Sequence, residues 1–80
     1  MPSFKIFIES SAEKEFRAVP FPFRRQINQR IMRLKEDPLP EDAELISEQE
    51  KYSLAVHGWR VVYEVDEARL LVTICAVLKK

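Results

Sequence analysis

KYSLAVHGWRVVYEV, residues 51–65, holds the chain's only histidine, glycine and tryptophan side by side at His57-Gly58-Trp59. Runs rich in β-branched and aromatic residues flank His57-Gly58 and read as two strands. With those two residues as the turn, Val56 faces Trp59, Leu54 faces Val61 and Tyr52 faces Tyr63. Strand side chains alternate with a period of two, so this register collects Tyr52, Leu54, Val56, Trp59, Val61, Tyr63 and Val65 on one face. Lys51, Ser53, Ala55, Arg60, Val62 and Glu64 fall on the other, with Lys51 opposite Glu64 as a cross-strand pair. X-Gly suits a two-residue turn, whose central residues can require positive φ. The lone glycine is therefore hairpin architecture, and His57 is an exposed turn residue with no catalytic partner beside it in sequence.

Working outward, a second turn at Asp66–Arg69 leads into LLVTICAVL, which is apolar on both faces and belongs in the middle of the sheet. Its alternation puts Leu70, Val72 and Ile74 on the core face and Leu71, Thr73, Cys75 and Val77 on the side of Arg60. Cys75 reads there as a small buried apolar residue. Upstream, SFKIFIE (residues 3–9) alternates and reads as a strand. SSAEKEFRAV reads as a short helix, capped by Ser10 or Ser11 and ended by Pro20. Pro20 and Pro22 suit the start of a second helix, along which Phe23, Ile27, Ile31 and Leu34 recur at helical spacing until Asp37-Pro38 ends it. The acidic, proline-containing stretch EDPLPEDAELISEQE (residues 36–50) reads as a loop leading back to the sheet.

The expected architecture is α+β with the order β-α-α-β-β-β, the N-terminal strand and a helical hairpin packing on one face of a mainly antiparallel sheet. The other face, partly apolar around one arginine, has no cover from its own chain, and a face of that kind is covered by something else.

Eighty residues make one domain, 1–80, and leave little chain for insertions. One cysteine forms no internal disulfide, no apolar run reaches membrane-helix length, and the N-terminus lacks a signal-peptide pattern, so a cytoplasmic protein is the default. No metal-ligand spacing and no glycine-rich phosphate loop is present, so neither a metal nor a nucleotide cofactor is expected. Net charge is zero, yet the charges are segregated: residues 17–35 carry six bases and no acid, residues 36–50 seven acids and no base. The basic block, with Arg24, Arg25, Arg30 and Arg33, is either a cationic interface or a solvated helix face. The balanced total argues against strong nonspecific nucleic-acid affinity.

The element order, together with the aromatic Tyr52, the run Gly58-Trp59-Arg60-Val61-Val62-Tyr63 and the last strand running into Lys79-Lys80, resembles the RelE/ParE superfamily of type II toxin–antitoxin toxins. The resemblance covers nearly the whole chain. It implies a toxin neutralised by a cognate antitoxin, and two branches remain open. RelE-like members are ribosome-dependent mRNA endoribonucleases, whereas ParE-like members poison DNA gyrase without cutting anything themselves.

Under the nuclease branch, Arg60 matches the arginine that stabilises the transition state and Lys80 falls at the place of a second catalytic arginine. Lys79, Arg24, Arg25, Arg30 and Arg33 would then contact RNA, or the four helix arginines would hold an acidic antitoxin tail. Ser53 and Ala55 stand where that branch often carries lysines, and no tyrosine or histidine follows Lys80. Cleavage by the neighbouring 2′-hydroxyl needs a proton acceptor, a cation and an acid, so these replacements leave a reduced site. His57 and Glu64 are the substitutes available as base, and a salt bridge to Glu64 is the structural alternative for Arg60. A gyrase inhibitor, or a degenerate toxin kept as a binding module, needs none of these groups.

Overall fold

The computed structural model describes residues 3–47 and 50–79. Two helices and five strands run in the order β1 (Lys5–Ile8), α1 (Ser10–Arg17), α2 (Phe21–Arg33), β2 (Glu44–Ser47), β3 (Lys51–Val56), β4 (Trp59–Asp66) and β5 (Leu71–Lys79). The strands form one sheet in the order β1-β5-β4-β3-β2. Only β1–β5 is parallel.

The β3–β4 hairpin has the expected register, with Val56 opposite Trp59, Leu54 opposite Val61, Tyr52 opposite Tyr63 and Lys51 opposite Glu64. His57 and Gly58 both take positive φ, 48° and 84°, as a tight hairpin turn demands. The apolar face so formed meets the helices. Leu54, Val56, Val61, Tyr63, Val72, Ile74 and Val77 close a core with Ala12, Val19, Ile27, Ile31 and Leu34. Each fully buried Leu or Ile in such a core contributes about 1.5–3 kcal/mol. The Tyr63 hydroxyl donates to the Pro38 carbonyl at 2.9 Å and pins the segment after α2 to the sheet.

Six details differ from expectation. The N-terminal strand does not pack on a face of the sheet but joins it as an edge, parallel to β5. The acidic stretch is not all loop, since Glu44–Ser47 adds β2 to the outer edge of β3. Glu9, in extended conformation, occupies the N-cap of α1, and no side chain caps that helix. Helix α2 stops at Arg33, ahead of Asp37-Pro38, with Leu34 as its C-cap. Leu70 sits at φ 53° in the turn and does not begin a strand. Finally, β5 carries one extra residue between Ile74, opposite Tyr63, and Ala76, opposite Val62. That bulge at Cys75 reverses the alternation, so Val77 turns into the core while Ala76 and Leu78 take the side of Arg60.

β1 pairs with β5 only as far as Ile74, which leaves the outer edge of β5 open beyond it. There α1 lies alongside, and Glu15 Oε1 accepts the Val77 N–H at 3.1 Å. A carboxylate thus satisfies a strand donor that no neighbouring strand reaches. Among the described residues no helix is long and apolar enough to cross a membrane.

Candidate functional site

Alternation along β4 sends Arg60 to the face away from the helices. Its cross-strand partners are Ala55 on β3 and Leu78 on β5, with Val62 and Ala76 one step further along. The guanidinium is exposed in a bed of small and aliphatic side chains. Among the described residues no carboxylate lies within ion-pair distance of it. Glu64 instead faces Lys51 at 3.7 Å. It lies four residues from Arg60 along the strand, about 13 Å at strand rise, which puts the alternative salt bridge out of reach. An exposed, unpaired guanidinium on a firm strand presents a planar fork suited to phosphate or carboxylate.

Other residues on this face add little acid–base chemistry beside Arg60. Ser53 is only 6% exposed, held between its cross-strand partners Glu44 and Val62. Burial, then a hydrogen bond with Glu9, pushes the Cys75 thiol up to about 11. His57 is exposed in the turn and makes no side-chain hydrogen bond among the described residues. Next to Arg60 the face is apolar, with Leu78 at 43% exposure beside Val62 and Ala76, and further across it Phe7, at 55%, and Leu71 sit among Lys5, Lys51, Glu64, Asp66 and Thr73.

The basic residues do not gather around Arg60. Lys79 pairs with Trp59, so it points to the helix-covered side, opposite Arg60. Lys80 lies outside the described residues. The four arginines of α2 belong to the helical layer and differ from one another. Arg24 stacks over the Phe21 ring at 5.8 Å. Arg25 and Arg33 are exposed. Arg30 is held by Asp42, its Nη2 donating to both carboxylate oxygens at 3.0 and 2.9 Å. That contact joins the basic block to the acidic block. It keeps Asp42 below the usual carboxylate range, chiefly through the hydrogen bond from Arg30. Segregated opposite charges in adjacent segments were the sequence signal for this clasp. The partner of each charge could not be read, because it depends on how the segment after α2 folds back.

No family model and no curated protein sequence matches the chain. Solved structures do. The intact E. coli RelBE toxin–antitoxin complex is 25% identical, with a TM-score of 0.85 over 98% of this chain and 96% of that one. The RelBE2 toxin–antitoxin complex of Mycobacterium tuberculosis matches at 15% identity and TM-score 0.85, over 98% and 99% of the two chains. The archaeal RelE–RelB complex of Pyrococcus horikoshii matches at 16% and 0.83, over 96% and 94%. The last two establish a shared fold. The first adds sequence likeness along almost the full length, in keeping with the Gly58-to-Tyr63 hairpin. The chain is a RelE-superfamily protein.

Proposed function

We propose that the chain is the toxin component of a type II toxin–antitoxin pair, acting in the cytoplasm, and that its cognate antitoxin covers the face of the sheet bearing Arg60. The observation carrying this reading is full-length likeness to RelE chains found in complexes with RelB antitoxins. It is supported by the apolar Val62, Ala76 and Leu78 beside Arg60, and by Phe7 and Leu71 further across the same face, which no described element of the chain covers. Burying such a face is favourable by about 25 cal/mol per Å² of apolar surface, and the guanidinium supplies register through a carboxylate.

The toxic activity is less fixed than the partner. Arg60 has the exposure required to steady a charged phosphorane in ribosome-bound mRNA. Yet Ala55, Val62, Ala76 and Leu78 around it take no proton, and Lys79 faces away. This environment favours action by binding, as in a gyrase inhibitor or a toxin retained for its partner, over efficient cleavage. Induced expression of wild type beside Arg60→Ala, with mRNA integrity followed in the same cultures, tests both levels. Arrest relieved by a co-expressed antitoxin establishes the toxin role, and mRNA cleavage lost in Arg60→Ala establishes the nuclease. Arrest with intact mRNA moves the target to gyrase or another protein. Absence of arrest, with folded protein present, overturns the active-toxin reading.

A further inference from the structure

The sheet ends in two edge strands, β1 and β2, each four residues long. Along β1 the N–H groups of Lys5 and Glu9 donate to the carbonyls of Leu70 and Ile74. Alternation then turns the N–H groups of Ile6 and Ile8 outward, away from β5. A groove of about 540 Å³ runs along that outer edge, lined mainly by Phe4, Ile6, Ile8 and Met32 together with Lys5 and Lys35. No carboxylate lines it. The β2 edge is the converse. Leu45 and Ile46 are 63% and 46% exposed, and Glu44 is exposed beside them.

We propose that the groove along β1 receives the β2 strand of a second copy of this chain. Strand direction permits it. β1 runs with β5, and each step from β5 through β4 and β3 to β2 reverses direction, so β1 and β2 point opposite ways. A second copy set beside the first in the same orientation therefore lays its β2 antiparallel to β1, the more stable pairing. Both helical layers then stay on one side of the joined sheet. Charge selects the same partner. Lys5 and Lys35 would repel in a β1–β1 contact and Glu44 in a β2–β2 contact, whereas β1 against β2 joins opposite signs.

The side chains also choose the register. Ile6 and Leu45 lie on the helix side, opposite Val72 and Tyr52, while Lys5 and Glu44 lie on the side of Arg60, opposite Leu71 and Ser53. Setting Phe4 against Leu45 fails, because the Lys35 carbonyl already takes the Phe4 N–H at 2.7 Å. Setting Ile8 against Leu45 brings Glu9 onto Glu44. Ile6 opposite Leu45 remains. It makes an apolar pair and sets Lys5 diagonal to Glu44, within reach of long side chains. The two surfaces differ, so the contact is heterologous and repeats from copy to copy without closing. Main-chain hydrogen bonds supply most of the affinity. With four residues a side, the contact falls below the roughly 1,200 Å² of stable complexes, so association belongs to high protein concentration. The Arg60 face stays free, which makes the inference independent of the toxin role.

Sedimentation velocity of the full chain from about 10 μM to about 1 mM tests it. The expected result is a mean mass that rises with concentration beyond that of a dimer and falls back in high salt. Lys5→Glu and Glu44→Lys should each weaken association about fivefold. The chain carrying both should recover it, because the pair returns with its signs exchanged. Both positions are exposed, and thermal melts confirm that the variants fold. Amide NMR of the labelled chain with an unlabelled peptide of residues 41–47, EDAELIS, locates the edge: Ile6 and Ile8 should shift and His57 should not. A monomer at every concentration, a mass that stops at a dimer, or failure of the doubly exchanged chain to recover would each overturn the inference. So would a peptide that shifts Ile6 and Ile8 while the chain stays monomeric, since the edge then serves an acidic extended segment of another protein.

Discussion

Arg60 and Lys79 lie on neighbouring strands and point to opposite faces of the sheet, because Lys79 pairs with Trp59 while Arg60 pairs with Leu78. Two cations that look like one basic cluster in the sequence therefore serve different surfaces. In cells where induction arrests growth, Arg60→Ala should relieve the arrest and Lys79→Ala should leave it intact. Both side chains are exposed, so each substitution should change stability by no more than about 0.5 kcal/mol, read from urea midpoints at unchanged m. Equal loss of activity in the two variants would mean that the two faces act together.

Gly58 supports this arrangement through its backbone alone. A Cβ placed there meets nothing within 4 Å, so the cost of Gly58→Ala is conformational and arises from φ at 84°. Substitution should destabilise by about 1–2 kcal/mol without disturbing the core. Gly58→Asn should lose less, since Asn tolerates the left-handed region better. Chemical denaturation of the three proteins checks the order, and equal stability of the Ala variant would show that the turn relaxes.

The hairpin was legible because its information is local. A two-residue turn and strict alternation fix every β3–β4 partner, and with them the faces of Arg60 and Glu64. The helical hairpin was legible from the spacing of Phe23, Ile27, Ile31 and Leu34, of which the last three are buried while Phe23, in the first turn of α2, is 39% exposed. The missed features rest on distant partners. Leu45 and Ile46 form a strand only because β3 offers an edge, and their prolines and acidic neighbours argue for a loop. The face of Val77 depends on one extra residue at Cys75, which no run of apolar residues announces. Around Arg60, the sequence showed which lysines were missing but not that Lys79 faces away or that Arg30 is tied to Asp42.

Cys75 occupies that bulge as a guarded thiol. Burial and the hydrogen bond with Glu9 raise it to about 11, and its Sγ lies 3.6 Å from the Thr73 carbonyl as a donor. The thiolate is the reactive form, so alkylation by iodoacetamide at neutral pH should run about a hundredfold slower than in the unfolded chain. The ratio should shrink as pH rises toward 11, which timed mass spectrometry follows. Reaction at the unfolded rate would place the thiol in water.

Tyr63 sets the alkaline limit of the fold. Burial first, then the nearby Tyr52, Asp42 and Asp37, raises its hydroxyl from 10.0 to about 12. In the unfolded chain the phenol ionises near 10, whereas the folded chain keeps the proton that bonds Pro38. The folded state then holds more protons, so stability falls as pH rises above 10 and levels off beyond about 12. Below 10 the contribution is fully present. Tyr63→Phe should cost about 1–2 kcal/mol at pH 7, because the hydroxyl and its bond to the Pro38 carbonyl are lost together. The same variant should show a flatter decline across the alkaline window, so the two stability curves converge as pH rises. Urea midpoints of both proteins at stepped pH decide the matter. Parallel curves would assign the alkaline loss to other groups, with the Cys75 thiol, raised to about 11, the first to examine.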